Sequence, residues 1–118
     1  MAQAIMRMAL SKKKRNAFLT ALILNGGLAE PAAREVGYTS TTFLRRVRRD
    51  DDDFAEAWDE AIEAAGDLIE AEVYRRAVHG VMEPVYFKGA IVGYIRKYSD
   101  RLAELLLKRH RPEYRGLR

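Results

Sequence analysis

Apolar side chains recur along this chain at two different periods, and the change of period divides it. As far as Val78 the recurrence is every three or four residues, the spacing of a helix face; after Gly80 it shifts to the short runs of strands. The first helix is expected to begin within KKKRNAFLTALILNGG. Phe18, Leu22 and Asn25 fall on one side of it, Leu19 and Ile23 beside them, and Asn25-Gly26-Gly27 ends it by C-cap chemistry. EPAAREV predicts a short second helix with Pro31 in its first turn, broken at Gly37-Tyr38. Thr39 or Ser40 then caps a third helix, TTFLRRVRR. Three short helices with a glycine turn between the last two have the outline of a helix-turn-helix, and Ala33, four residues before Gly37, suits its tight corner.

A long fourth helix is expected over roughly Phe54 to Val78. Phe54, Trp58, Ile62, Ala65, Ile69 and Val73 lie along one continuous apolar stripe. About 25 helical residues reach ~37 Å, longer than three short helices can cover. The far end of the stripe therefore needs either the rest of the chain or a second copy. MEPVYFKGAIVGYIRKYS predicts a β-hairpin turning at Lys88-Gly89, pairing Phe87 with Ala90 and Val85 with Val92. A lone two-stranded ribbon is marginal in water, so it too needs a partner. Val85, Phe87 and Ile91 are the candidates on the ribbon for that contact, as Phe54, Trp58, Ile62, Ala65, Ile69 and Val73 are on the helix. Ser99 and Asp100 cap a last helix, RLAELLLKRH, which Pro112 ends. The expected fold is mainly α: a helix-turn-helix head, a long central helix, a small β-hairpin and a C-terminal helix. Its expected division is a head over 1–50 and an oligomerisation region over 51–118.

Charge sharpens that division. RRVRRDDDDF, residues 45–54, sets four arginines against four aspartates. Residues 50–72 hold eleven acids and no base, although the whole chain of 118 residues has 21 bases, 17 acids and a net charge of +4. Such segregation suggests two surfaces with different partners. The aspartates themselves suit a helix start, where they meet the positive end of the macrodipole and cap free amides. Four adjacent aspartates point in different directions and make a poor metal site. With no cysteine, disulfides, thiolate zinc sites and cysteine nucleophiles are excluded. The N-terminal MAQAIMRMALSKKKR places its basic run after its apolar stretch, the reverse of a secretory signal, and no run approaches the ~20 apolar residues of a membrane span. A soluble, intracellular protein without membrane partners is expected.

Catalytic chemistry has little to stand on. The chain carries neither a phosphate-binding loop nor a dinucleotide fingerprint, and His79 and His110 both sit at expected helix ends, where a capping role explains them. No enzyme activity and no cofactor are expected. Double-stranded DNA is the better-supported partner. With Phe43, Leu44 and Val47 on the buried side of the third helix, Thr42, Arg45 and Arg49 point away, and Thr41, Arg46 and Arg48 flank them. Arginine forks match guanine edges and phosphate oxygens, and a helix presenting them can enter a major groove. Lys12, Lys13, Lys14 and Arg15 are expected to form a mobile basic arm for backbone contacts. The acidic fourth helix would repel phosphate and faces protein instead.

Arg75 to Val85 (RRAVHGVMEPV), Lys97 to Leu102 (KYSDRL) and the closing Arg111-Pro112-Glu113-Tyr114-Arg115 resemble the C-terminal half of bacteriophage small terminase subunits. Together with the helix-turn-helix, the resemblance covers roughly residues 15–115. It implies a DNA-packaging recognition component of the host bacterial cytoplasm, assembled as a ring of many copies that binds viral DNA. It also implies recruitment and regulation of a large terminase subunit holding the ATPase and nuclease, with the tail after Pro112 a candidate contact for it. Two other readings stay open on the residues alone: a dimeric helix-turn-helix transcriptional regulator, and a protein-only scaffold whose arginines never touch DNA.

Overall fold

Residues 10–116 are described by a computed structural model; the apolar start of the chain, residues 1–9, and the end of the tail, residues 117–118, lie outside the described residues. In chain order the elements are α1 (Lys12–Leu24), α2 (Ala29–Glu35), α3 (Thr42–Asp50) and α4 (Asp52–Tyr74). A π-helical turn (Arg75–His79), β1 (Val81–Phe87), β2 (Ala90–Lys97), α5 (Asp100–His110) and a 3₁₀ turn (Pro112–Tyr114) follow. The mainly helical fold with one hairpin and a C-terminal helix is the one the pattern predicts.

Local chemistry places most element ends. Ser11 caps α1 by accepting the amide of Lys14 at 3.2 Å. Asn25 closes it, followed by Gly26 and Gly27 at φ of 69° and 81°. Ser40 accepts from the amide of Thr42 at the start of α3, and Asp51 accepts from the amide of Phe54 at 3.1 Å at the start of α4. The carboxylates at the charge junction therefore act as a helix start, as their position near the macrodipole's positive end favours. Ser99 caps α5 through the amide of Leu102.

The chain packs as two units that divide between Leu68 and Ile69, inside α4. In the first, Phe18 and Leu22 of α1, Ala32 and Ala33 of α2, Leu44 of α3 and Phe54, Trp58 and Ala61 of α4 form one buried core. Its centre is aromatic: Phe18 lies 4.8 Å from Trp58, and Phe54 meets Trp58 edge-on at 5.7 Å. Such pairs add roughly 0.5–1.5 kcal/mol each beyond the area they bury. The expected boundary at residue 50 follows the charge; the packing follows the apolar residues, and α4 as far as Leu68 belongs to the head.

That packing corrects part of the expected subunit-contact stripe. Phe54, Trp58 and Ala65 are buried by their own chain, so they cannot meet a second copy. Ile62 and Ile69 remain exposed and Val73 half-exposed. The turn after α4 comes as expected at Gly80, which holds φ 78° and ψ 174°.

In the second unit β1 and β2 form an isolated antiparallel ribbon, with Phe87 opposite Ala90 as predicted. Val85 does not pair with Val92. A β-bulge between Val85 and Tyr86 shifts the register so that Val85 faces Gly93. The turn is of the primed kind, Lys88 at φ 51° and Gly89 at φ 80°, which matches the twist of the strands. Among the described residues of this unit Ala77 is the one buried hydrophobic side chain. Val85, Phe87 and Ile95 are exposed on one face of the ribbon and Tyr86, Ile91 and Tyr94 on the other. Ion pairs and backbone bonds supply what order the unit has. Glu70 receives Arg109 and His110, and the tail folds back through Arg115, whose Nε donates to the Lys108 carbonyl at 2.8 Å.

Candidate nucleic-acid interface

The head orients α3 through Leu44, which is fully buried, with Phe43 and Val47 half-buried on either side of it. Phe43 packs its ring on Tyr38 at 5.6 Å, just after the Gly37 corner at φ 100°. Ala33 beneath that corner is fully buried, and its carbonyl accepts from the Tyr38 amide at 2.9 Å. The small residue and the glycine thus make the tight turn that sets α3 against α2.

Thr42, Arg45, Arg46 and Arg49 are exposed. Thr41 is buried and Arg48 part-exposed, with 31% of its side-chain surface accessible, so both sit further inward than the flanking place expected of them. They lie three residues before and four after Leu44, so one turn along the helix carries both onto the side that meets α4. Thr41 is buried, and its hydroxyl accepts from Arg45 Nε at 3.1 Å. Arg48 lies over the Trp58 ring at 5.2 Å, donates to the Ala55 carbonyl at 3.3 Å, and pairs with Asp59 at 2.8 Å. Arg45 also reaches the Trp58 ring, at 5.5 Å. One indole therefore carries two guanidinium groups of α3, an arrangement that cation–π attraction favours.

The basic run before Phe18 is not an arm. Lys12, Lys13, Lys14 and Arg15 form the first turn of α1, because Ser11 satisfies an amide there and Phe18 anchors the helix in the core. Lys14 donates to the Val36 carbonyl at 2.5 Å and lies over the Tyr38 ring at 5.2 Å. Arg15 pairs with Asp51 at 3.6 Å and lies over Phe54 at 5.4 Å. Since Tyr38 also touches Phe43, these contacts set the first turn of α1 beside the start of α3. Lys12 and Lys13 are exposed there. The exposed members of the two basic segments are thus Lys12 and Lys13 on α1 and Thr42, Arg45, Arg46 and Arg49 on α3.

Sequence reasoning missed Trp58 and Asp59 as shapers of this surface. Trp58 reads as one more apolar position of the stripe, and Asp59 as one more acid of a long acidic helix. Only the approach of α4 to α3 distinguishes them. Among the described residues no three His, Asp or Glu side chains converge as a metal site, and no helix is long and apolar enough to cross a membrane. Comparison of the chain with protein families, curated proteins and solved structures finds no match.

Proposed function

We propose that this chain is a DNA-recognition subunit that works as an assembly of many copies, of the kind that phage small terminase subunits provide for genome packaging. The reading rests on one juxtaposition. A head with its own core presents an arginine-lined helix, while a second unit with almost no core leaves apolar side chains exposed on both faces of a ribbon. Uncovered apolar side chains on both faces support a protein interface there. The exposed Ile62, Leu68 and Ile69 of α4 extend the same requirement along the helix. In the proposed role the head contacts duplex DNA, the second unit holds copies together in a ring, and the assembly recruits a large terminase subunit. The tail from Pro112 onward is the proposed contact for that subunit.

Absolute mass in solution, by light scattering or native mass spectrometry without DNA, tests the reading first. A single closed species of many copies supports it. A clean dimer moves the chain to the transcriptional regulators, and a closed assembly that binds no duplex at any salt makes it a protein-only scaffold.

A further inference from the structure

Of the four arginines crowded into residues 45–49, one is held by a carboxylate from another helix. Arg48 Nη2 meets Asp59 Oδ1 at 2.8 Å, its Nη1 meets the Ala55 carbonyl at 3.3 Å, and its guanidinium carbon lies over the Trp58 ring at 5.2 Å. Asp59 itself is mostly exposed, with 64% of its side-chain surface accessible. Nothing about its own burial demands a cationic partner. Arg46 and Arg49 have no ion pair or hydrogen bond among the described residues, so they differ from Arg48 in commitment and not in chemistry.

Resting on the DNA-binding reading, we infer that Asp59 is a positioning residue that withholds Arg48 from nucleic acid. An arginine released from a carboxylate is a point of attachment for any phosphate, whatever the sequence. A guanidinium bound to Asp59, held over the Trp58 ring and hydrogen-bonded to a helix carbonyl does two other things. It fixes the tilt of α3 on α4, and it caps the number of phosphates the head can neutralise. Indiscriminate affinity is limited while Arg45, Arg46 and Arg49 keep the outer face. The acid lies about two turns into the acidic helix, so α4 supplies from its interior the group that restrains its basic neighbour.

The test is the salt dependence of binding to a random-sequence duplex, with full-length wild type, D59N, R48A, the R48A/D59N pair and R46A/R49A. Each phosphate contact contributes about 0.9 to the slope of log affinity against log salt. Asp59→Asn is expected to steepen the slope by about one contact and to raise affinity at low salt. Arg48→Ala is expected to leave the slope at the wild-type value, and the double variant to match Arg48→Ala. An R48A slope shallower by one contact would place Arg48 on DNA already and overturn the inference. So would a D59N effect that persists without Arg48, since it would then be general charge. The two readings fail separately. A slope that falls in R46A/R49A but is unmoved in D59N sinks only the role of Asp59, whereas a slope unmoved in R46A/R49A sinks the α3 interface itself.

Discussion

At the scale of single residues, the head depends on Trp58 and the second unit on Gly80. Trp58 is 3% exposed and touches Phe18, Phe54 and two arginines. Trp58→Ala is therefore expected to cost about 3–5 kcal/mol, read as a fall in the denaturant midpoint of the head by tryptophan-independent circular dichroism. Gly80 occupies a backbone region that side-chain-bearing residues rarely adopt. An added Cβ would also lie 2.8 Å from Arg96 Cγ and 2.9 Å from the Lys97 carbonyl. Gly80→Ala should cost roughly 1–3 kcal/mol in backbone conformation alone, and more once the ribbon has moved aside. Loss of hairpin amide protection in hydrogen exchange, with the head unchanged, is the expected signature. The need for Gly80 is half legible in the sequence, which marks a break there; the approach of β2 is not.

At the scale of elements, the helices were readable and the hairpin was readable except for its bulge. A period of two and a Lys-Gly turn locate both strands, but one extra residue on β2 is a packing decision and leaves no signal in the alternation. Lys88 sits at φ 51° in a turn that favours asparagine at that place. Lys88→Asn should stabilise the ribbon by roughly 0.5–1 kcal/mol, seen as slower exchange of its cross-strand amides. The π-turn carries a second element-scale prediction. Glu72 accepts two bonds from Arg75, at 2.9 and 2.7 Å, and one from Arg76 at 2.7 Å. Arg75 chiefly, and then Arg76, hold its carboxyl at a pKa of about 2, down from the usual 4.5. A carboxyl whose pKa is lowered by folding stabilises the fold above its unfolded pKa, and that contribution is lost as pH falls from about 4.5 towards about 2. Glu72→Gln should flatten this part of the acid stability profile. All three groups are exposed, so the change is small and is best followed by NMR of the Arg75–His79 amides.

At the scale of the whole molecule, the second unit is the part with the least core of its own. Phe87 is 62% exposed and Ile91 49% exposed, on opposite faces of the ribbon. One neighbour cannot cover both faces, which favours an arrangement in which each ribbon is enclosed. Replacing Phe87 and Ile91 with serine is expected to reduce the mass in solution to that of smaller species. The head's unfolding transition should stay in place, because no buried residue of the head lies beyond Ala65. A mass unchanged by the pair would move the subunit contact to the exposed flank of α4, at Ile62 and Ile69.

The sequence by itself determined which segments become helices and which become the ribbon, since periodicity, caps and glycine breaks act within a few residues of one another. It also determined that α3 carries a basic outer face, because Leu44 must point inward and Arg46 and Arg49 must then point out. Tertiary structure decided which arginines are left free. Arg48 and Arg49 are neighbours of the same type on adjoining sides of α3, and the arrival of Trp58 and Asp59 from α4 is what engages the first and leaves the second. It also decided how the apolar stripe is shared, Phe54 and Trp58 going to the chain's own core and Ile62 and Ile69 to the surface. A stripe records that a helix must be covered, but what covers each turn depends on where other parts of the chain stop, and that is a property of the packed molecule.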